Sequence, residues 1–283
     1  MLIHDPAELY RHLDALKRQG HRIGLVPTMG ALHEGHLSLV RASRERCETT
    51  VVSIFVNPAQ FAPNEDFAAY PRTLESDIAQ LDATGENVVF VPNAESVYPA
   101  GYDSRVRVGG VSREFEGAYR PDHFQGVATI VLKLFNMTGA DEAFFGQKDF
   151  QQLRLIEKMV ADLNVPIRIR SCPIVREEDG LAMSSRNRFL SPEHRRQAAV
   201  LFRALDSAED MICVRKIADV DTIRHVLRQT ISQGSDAVID YATVADYGTV
   251  RELDRIDHAT RVVVLLAVRF GKTRLIDNRI LEP

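Results

Sequence analysis

The sequence lacks most of the features that mark membrane, secreted or nucleic-acid-binding proteins. Its longest apolar run, residues 262–268, is far too short to cross a bilayer. The N-terminal stretch lacks the basic start and apolar centre of a secretory signal, and it predicts instead an amphipathic helix over residues 6–18. A net charge of −4 gives no overall attraction to nucleic acid or to an anionic membrane. Any site for an anion must therefore be local.

Cysteine is also scarce. Cys47, Cys172 and Cys213 are far apart and in no metal-ligand spacing, which argues against zinc and against structural disulfides. We therefore expect reduced thiols in a cytoplasmic protein. The sequence has no internal repeat, and its 283 residues are enough for one large domain and one smaller domain.

The most informative stretch of the chain is PTMGALHEGH, residues 27–36. The apolar, β-branched residues 22–26 before it predict a short buried strand, which Gly30 ends. Apolar residues then recur at helical spacing and predict a helix over residues 33–46. His33 and His36 share one face of its first turn, where unpaired backbone N–H groups and the helix dipole favour a phosphate.

The chemistry of these two histidines allows two interpretations. An imidazole can donate a hydrogen bond to a phosphoryl oxygen as negative charge builds up, and near neutral pH it can also be cationic. Alternatively, histidines at a helix start merely cap the helix or fill a gap. A zinc protease is excluded, because His-Glu-x-x-His needs a second histidine where this chain has Leu37.

The motif His-x-Gly-His after a first strand is the signature of an adenylyl-transferring α/β superfamily related to class I aminoacyl-tRNA synthetases. The longer string PTMGALHEGH resembles the pantothenate synthetase family, the pantoate–β-alanine ligases, which use ATP. Further motifs between positions 57 and 187 match this family in order and at plausible spacings. The resemblance therefore covers most of the first two thirds of the chain.

The order of predicted elements indicates an α/β fold. Further strands are predicted at residues 49–56, 88–91, 143–145 and 167–170, and helices at 73–83, 124–135 and 149–162. This alternation predicts a Rossmann-like parallel sheet with helices on both faces, which binds ligands at the carboxyl ends of its strands. The motifs PTMG, NPAQF and GQKD each follow a predicted strand, as that rule requires.

The pattern changes near residues 172–175. A helix predicted from Ser191 past Leu205, a second helix at 220–231 and strands at 237–245, 261–270 and 274–277 indicate a smaller α+β domain. We expect residues 1–174 to form the domain that binds ATP and pantoate. Residues 175–283 would form a lid, since the resemblance implies a reactive acyl-adenylate anhydride that must be shielded from water.

Amide side chains are the candidates for binding pantoate. The motif NPAQF, residues 57–61, is by itself an ordinary turn after a strand. Pantoate offers a carboxylate, two hydroxyls and a gem-dimethyl group. The resemblance implies that it is bound by Asn57, Gln60, Met29 and Gln152. Gln152 follows Lys148 by four residues and is expected to share its helix face.

Two further motifs carry charged residues with more than one interpretation. Glu75 and Asp77 could hold Mg²⁺ directly or through water, or could be helix-start acids stabilised by the dipole. The resemblance implies a Mg²⁺ cofactor with Asp77 as its ligand. In RPDHFQGV, Arg120 and His123 could face the pocket, but we expect Asp122 simply to cap the following helix.

Two motifs are candidates for binding phosphate. Lys148 in GQKD lies at the unfavourable end of a helix dipole, which a nearby anion would explain, although an exposed lysine is the usual outcome. Hydroxyls and an arginine fork in MSSRN suit a pyrophosphate, although such a string is usually a polar surface loop. The resemblance implies contacts with ATP at Pro27, Thr28, Met29, Gly30, His33, His36, Gly146, Lys148, Asp149, Val175, Met183, Ser184, Ser185 and Arg186.

The resemblance implies a two-step ligation in which pantoate is activated as pantoyl adenylate and β-alanine then displaces AMP. ATP is a substrate of this reaction, and the implied catalytic residues are His33, His36, Lys148, Ser184, Ser185 and Arg186. A homodimer is expected on resemblance alone. Two alternatives remain: a nucleotidyltransferase of the same superfamily, against which Gln60 and Gln152 argue, and a non-catalytic nucleotide-binding protein.

Overall fold

The computed structural model describes residues 1–62, 67–233 and 236–283, and within these ranges six parallel strands form one sheet. The strand order is β1-β4-β3-β2-β5-β6, and β2 and β3 pair from Ile23 with Thr49 to Thr28 with Ile54. The strands are β1 (Leu2–Ile3), β2 (Ile23–Thr28), β3 (Thr49–Ile54), β4 (Val88–Phe90), β5 (Glu142–Gly146) and β6 (Arg168–Cys172). The predicted parallel α/β sheet is confirmed, except that β1 was too short to be recognised.

Helices connect these strands. They are α1 (Pro6–Arg18), α2 (Glu34–Arg44), α3 (Leu74–Asp82), α4 (Ala94–Val97), α5 (Glu116–Tyr119), α6 (His123–Thr138) and α7 (Phe150–Asp162). Helix α2 packs closely on β2, because a Cβ at Gly24 would lie 2.1 Å from Ser43 Oγ. Helix α1 has the predicted bounds, since the Asp5 carboxylate accepts the Glu8 N–H and Pro6 starts the first turn.

The start of α7 differs from the prediction. A 3₁₀ turn, Gln147–Asp149, separates β5 from α7, which begins at Phe150. Strand β5 ends at Gly146, directly before this turn, so a tighter helix precedes the α-helical repeat. Lys148 therefore precedes α7, and the expectation that Lys148 and Gln152 share one face stays a prediction.

An ion-pair network fixes the beginning of β5. The buried carboxylate of Glu142 accepts two hydrogen bonds from Arg170, at 2.7 and 2.9 Å, and one from Arg46 at 3.0 Å. Hydrogen bonds from Arg170 and Arg46 lower the pKa of Glu142 to about 2. Because Arg46 follows α2 and Arg170 lies in β6, the network joins three neighbouring elements at this edge of the sheet.

The chain divides into two compact units: residues 1–147 with 151–173, and residues 148–150 with 174–283. The second unit contains α8 (Pro192–Ala198), α9 (Val200–Glu209), α10 (Val220–Ser232), β7 (Val238–Asp246), β8 (Val262–Phe270) and β9 (Thr273–Leu281). Within the described ranges, β7, β8 and β9 form an antiparallel three-stranded sheet in that order. The helix predicted from Ser191 is interrupted at Ala199, and β9 runs four residues beyond the predicted end, as far as Leu281.

Apolar residues of α9, α10 and β8 form the core of the second unit, including Leu201, Leu205, Ile223, Leu227 and Val264. The predicted hairpin between β8 and β9 is confirmed, and its Gly271 has a φ of +58°, which glycine adopts readily. No helix in the described ranges is both long and apolar enough to span a membrane.

Candidate active site

The turn between β2 and α2 has a strained backbone that is held by a carboxylate. Gly30 and Ala31 have φ values of +80° and +51°, a left-handed conformation that alanine rarely adopts. The Asp77 carboxylate accepts the backbone N–H of Ala31 at 3.0 Å and that of Leu32 at 2.9 Å. Thr73 Oγ1 donates to the same carboxylate at 3.2 Å. Asp77, from the first turn of α3, therefore fixes the backbone that leads into the histidine motif.

This arrangement bears on the expected role of Asp77 in binding Mg²⁺. The side chain is 1% exposed, and both of its oxygens accept backbone N–H groups. Carboxylates that bind Mg²⁺ directly keep an oxygen directed at the ion. The structure assigns Asp77 a structural task, and its role as a metal ligand stays a prediction.

Thr28 and Pro27 form the end of β2. Thr28 Oγ1 donates to the Ser53 carbonyl of β3 at 2.8 Å and accepts the Gly30 N–H at 3.2 Å. A Cβ at Gly30 would lie 3.0 Å from Asp77 Oδ2, so a side chain there would crowd the carboxylate. Thr28 thus connects the strand end to the turn that precedes the histidines.

His33 and His36 hold each other and the helix start. His33 is the N-cap of α2, and its Nδ1 accepts the Gly35 N–H at 3.1 Å; His36 Nδ1 accepts the His33 N–H at 3.4 Å. The ring centroids are 4.1 Å apart. Because each Nδ1 accepts a backbone N–H, the proton of each neutral ring lies on Nε2. Both rings therefore cap the start of the helix, as the second interpretation expects, and a contact of either ring with a phosphate stays a prediction.

Asn57 and Gln60 form a buried pair at the carboxyl end of β3. Asn57 Nδ2 donates to Gln60 Oε1 at 3.1 Å, and Gln60 Nε2 lies 2.9 Å from Met29 Sδ. Asn57 is 1% exposed and Gln60 is 8% exposed. The structure thus brings together three of the four residues expected to bind pantoate. The fourth, Gln152, is partly buried on α7.

Two residues of the motif RPDHFQGV contact the backbone carbonyl of Gln60. His123 Nδ1 lies 3.0 Å and Arg120 Nη2 lies 3.5 Å from the Gln60 carbonyl oxygen. Asp122 occupies the N-cap position of α6, but its side chain makes no capping hydrogen bond. The expectation that Asp122 caps this helix was wrong, because the polar groups of the motif are used on the loop that carries Gln60.

Close packing of two backbones explains the glycine at position 126 of this motif. A Cβ at Gly126 would lie 2.1 Å from the Ala59 carbonyl oxygen and 2.7 Å from Gln60 Cα. Helix α6 therefore contacts the short 3₁₀ helix Pro58–Gln60 directly through backbone atoms. Sequence analysis missed this residue, although a glycine inside an apolar helix is a signal of close packing.

Lys148 lies in the 3₁₀ turn after β5 and belongs to the second unit. Asn278 Nδ2 donates to the Lys148 carbonyl at 2.9 Å, and Lys148 Nζ lies 3.6 Å from Asp149 Oδ1. A Cβ at Gly146, in the first unit, would meet no atom within 4 Å. The backbone at Gly146 is therefore open in the way that was expected for a nucleotide contact.

The loop with the remaining predicted ATP contacts is internally ordered. The Val175 carbonyl accepts the Met183 N–H at 3.0 Å, so residues 175–183 form a hairpin. Ser184 Oγ accepts the Arg186 N–H at 3.3 Å and caps the 3₁₀ helix Ser185–Phe189. The structure therefore places Val175 beside Met183, and Ser184 and Ser185 beside Arg186, within the second unit.

Strand β9 anchors this loop through residues that sequence analysis missed. Arg176 donates to both oxygens of the buried Asp277 carboxylate, at 2.7 and 3.0 Å, and to the Gly180 carbonyl at 2.9 Å. The next residue, Asn278, holds the Lys148 carbonyl. These partners are more than 100 residues apart in the chain, so no local pattern could have identified them.

The chain resembles known enzymes over almost its whole length. A protein-family model for pantoate–β-alanine ligase matches residues 1–280. A pantothenate synthetase from Acetivibrio thermocellus is 53% identical over 266 residues, which are 94% of both chains. One from Moorella thermoacetica is 48% identical over 281 residues, covering 99% of this chain and 98% of the relative.

Solved structures agree with the sequence relatives. Pantothenate synthetase from Thermus thermophilus matches with a TM-score of 0.90 at 42% identity, covering 98% of both chains. A pantoate–β-alanine ligase from Francisella tularensis, complexed with β-γ ATP and β-alanine, matches with a TM-score of 0.79 at 32% identity, covering 99% of this chain and 97% of that one. This chain belongs to the pantoate–β-alanine ligase family.

Proposed function

We propose that this enzyme joins pantoate to β-alanine through a pantoyl-adenylate intermediate, and that it releases pyrophosphate and AMP. Family membership over residues 1–280 gives the reaction class. The observation that carries the mechanism is the histidine pair, in which backbone N–H groups hold both Nδ1 atoms and leave the ring protons on Nε2. Two imidazole rings side by side, each held at Nδ1 by the backbone, suit a phosphoryl group that gains negative charge during transfer.

In the first step, a carboxylate oxygen of pantoate attacks the α-phosphorus of ATP. The bond from that phosphorus to the oxygen bridging to the β-phosphate breaks, and pyrophosphate leaves with the electron pair. Amide formation from a free carboxylate is uphill in water, and the mixed anhydride supplies the driving force. Phosphoryl transfer needs little covalent help from the protein, so positioning and charge stabilisation by His33 and His36 would dominate.

In the second step, the neutral amine of β-alanine attacks the carboxyl carbon of pantoyl adenylate. The carbon–oxygen bond to the phosphate breaks, AMP leaves, and the amine loses a proton as the amide forms. None of the proposed residues acts as a covalent nucleophile.

Pantoate would bind at the amide cluster of the first unit. Gln60, Asn57 and Met29 lie together there, and Gln152 is proposed as a further contact. A buried amide suits a hydroxy acid, because it offers hydrogen bonds without a charge that would need a buried counter-ion.

The proposed contacts with ATP include four residues that we assign to its phosphates and a group that would contact the rest of the nucleotide. We assign Lys148, Ser184, Ser185 and Arg186 to the phosphates, because a lysine, two hydroxyls and a guanidinium match the charge of a departing pyrophosphate. The backbone at Gly146 is open to a nucleotide. Pro27, Thr28, Met29, Gly30, Asp149, Val175 and Met183 are proposed as the remaining contacts.

Mg²⁺ remains a proposal that rests on the resemblance. Among the described residues, no group of three histidine, cysteine, aspartate or glutamate side chains could hold a metal ion. Asp77 is engaged by the backbone of residues 31 and 32. The residues present therefore do not fit a metal site built by the protein alone, and Mg²⁺ would have to come with the phosphates of ATP. A homodimer, a cytoplasmic location and a lid role for residues 175–283 are further proposals.

Product analysis tests the proposed function. Purified protein is incubated with ATP, Mg²⁺, pantoate and β-alanine, and each organic substrate is omitted in turn. We expect AMP and pantothenate to appear together, in equal amounts, only when both acids are present. Survival of ATP with this substrate pair would overturn the pantoate assignment, and transfer of AMP onto a stable product would instead indicate a nucleotidyltransferase.

A further inference from the structure

The amide pair Asn57–Gln60 has a hydrogen-bond direction that is imposed by the backbone. Asn57 Oδ1 lies 3.3 Å from the Ala59 backbone nitrogen, which can only donate. Asn57 Nδ2 lies 3.2 Å from the Gly126 carbonyl oxygen, which can only accept. The Asn57 amide therefore has one orientation in which both contacts are hydrogen bonds.

The direction continues through the side chain of Tyr98. Its hydroxyl lies 2.8 Å from Asn57 Oδ1 and must donate, because that oxygen is an acceptor. Burial raises the pKa of Tyr98 to about 12, so the hydroxyl keeps its proton at neutral pH. Tyr98 follows α4, and its ring lies beside those of Phe55 and Tyr102, at centroid distances of 6.4 and 5.1 Å.

Gln60 completes this chain of hydrogen bonds. Asn57 Nδ2 is a donor, so the Gln60 atom 3.1 Å away must be the oxygen Oε1. The Gln60 amide nitrogen then points away from Asn57, towards Met29 Sδ at 2.9 Å. A thioether is a weak acceptor, and an oxygen of a bound acid would be a stronger partner for that N–H₂ group.

We propose that Tyr98 is a positioning residue for the acid substrate, whose hydroxyl holds Asn57 in the orientation that makes Gln60 present N–H donors to pantoate. This inference rests on the proposed function, since it takes Gln60 to contact pantoate. It assigns a role to a residue outside all of the motifs that pointed to the family. It also gives the site a preference for an acceptor oxygen over a donor at the position facing Gln60.

Tyr98→Phe tests this role, with Tyr102→Phe as its matched control. The first variant removes the hydroxyl that holds Asn57, and the second removes a hydroxyl from the adjacent ring. One lost hydrogen bond of this kind predicts that Tyr98→Phe lowers kcat/KM for pantoate about threefold to tenfold. We expect an unchanged KM for ATP in Tyr98→Phe and unchanged constants in Tyr102→Phe.

A double-mutant cycle separates positioning from general packing. In a Gln60→Ala background the Tyr98 hydroxyl still holds Asn57, but Asn57 has no Gln60 amide left to orient, so adding Tyr98→Phe should change kcat/KM for pantoate by less than twofold. An effect of Tyr98→Phe that is as large in this background as in the wild type would overturn the proposal. This comparison remains valid even if Tyr98→Phe lowers the thermal unfolding temperature.

The donor role of Gln60 has its own readout. In ¹⁵N-labelled protein, the side-chain N–H₂ signals that disappear in Gln60→Ala should shift when pantoate is added, and they should shift less in Tyr98→Phe. Pantoate binding without a shift of these signals would refute this inference, and so would equal kcat/KM in wild type and Tyr98→Phe. As long as the wild type still forms pantothenate, neither result would affect the proposed function. A wild-type protein that forms no pantothenate would instead refute the proposed function itself.

Discussion

The two units of the chain hold their candidate residues in different ways. In the first unit, Asn57 and Gln60 are buried; backbone groups of Ala59 and Gly126 fix the direction of the Asn57 amide, and Asn57 in turn fixes that of Gln60. In the second unit, residues 183–187 are partly exposed on a loop, and the Arg176–Asp277 ion pair anchors the hairpin before them. The first arrangement suits recognition of one small acid, and the second suits a flexible, highly charged phosphate chain.

Replacement of His36, in the first unit, should have the largest effect on kcat of the variants considered. Asn at position 36 keeps an acceptor near the His33 N–H but removes the Nε2 donor. Loss of one preorganised donor to a developing charge costs about 100-fold to 1000-fold in kcat. We expect this loss in His36→Asn with little change in thermal stability, measured as the rate of AMP formation. His225→Asn, at an exposed position on α10, is the control; a kcat for His36→Asn within threefold of wild type would contradict the assigned role.

Asp277→Asn tests whether the second unit depends on its buried ion pair. The variant leaves the Arg176 guanidinium, whose side chain is 19% exposed, without its carboxylate. Breaking such a pair lowers the free energy of unfolding by about 3 kcal/mol. We also expect KM for ATP to rise more than KM for pantoate, because Arg176 is part of the hairpin before Ser184.

The control for Asp277→Asn is Asp221→Asn, which removes a carboxylate that is 81% exposed and pairs with Arg224. An exposed pair contributes little, so urea unfolding of this variant should match that of the wild type within about 0.5 kcal/mol. If Asp277→Asn instead impairs pantoate alone, the assignment of the second unit to phosphate binding is wrong.

Gly126→Ala tests whether pantoate binding depends on the close packing beneath Gln60 in the first unit. The added methyl group would clash with the Ala59 carbonyl and push the loop that carries Gln60. Overpacking of this kind costs about 1–3 kcal/mol in the free energy of unfolding. We expect kcat/KM for pantoate to fall about tenfold or more, with a smaller change for ATP. Gly109→Ala, where a Cβ would meet no atom within 4 Å, should change neither quantity.

Glu142→Gln has the smallest expected effect, and its signature is pH dependence. Arg170 and Arg46 lower the pKa of Glu142 to about 2, from an ordinary value near 4.5. A lowered pKa stabilises the folded state fully above the ordinary value, and this contribution is lost as pH falls towards 2. Allowing for solvent around the arginines, the wild type should exceed the variant at pH 7 by on the order of 2 kcal/mol.

The pH series should show this advantage shrinking between pH 4.5 and pH 2. Glu282→Gln is the control, because its carboxylate pairs with Arg261 at the surface with 73% exposure, and an exposed pair should contribute little at any pH in the series. A constant difference in unfolding free energy between wild type and Glu142→Gln across this range would show that Glu142 does not titrate as described.

Local signals made much of the first unit predictable. Asp5 and Pro6 marked the start of α1, and β-branched residues marked β3, because caps and buried strands depend on neighbours in sequence. The motif NPAQF was by itself only an ordinary turn after a strand, and it was the resemblance that pointed to Asn57 and Gln60. The direction of their hydrogen bonds was not predictable, because Tyr98 and Gly126 come from distant parts of the chain.

The side chains whose partners the sequence did not reveal share a physical cause. Asp77 was considered as a metal ligand or a helix-start acid, but its partners are backbone groups more than 40 residues earlier in the chain. Asp277 and Asn278 appeared only as part of a predicted strand or just beyond it, although they hold Arg176 and Lys148. A polar side chain that is buried by long-range contacts has no local pattern to mark it.

The central claim is that pantoate attacks the α-phosphorus of ATP with a carboxylate oxygen. Pantoate labelled with ¹⁸O in its carboxylate should therefore transfer one labelled oxygen to AMP, because AMP leaves in the second step with the oxygen that attacked phosphorus. Mass spectrometry of the nucleotide product detects this transfer directly. We predict one ¹⁸O in each AMP formed. Label appearing in inorganic phosphate, together with ADP, would show attack at the γ-phosphorus and would contradict the account.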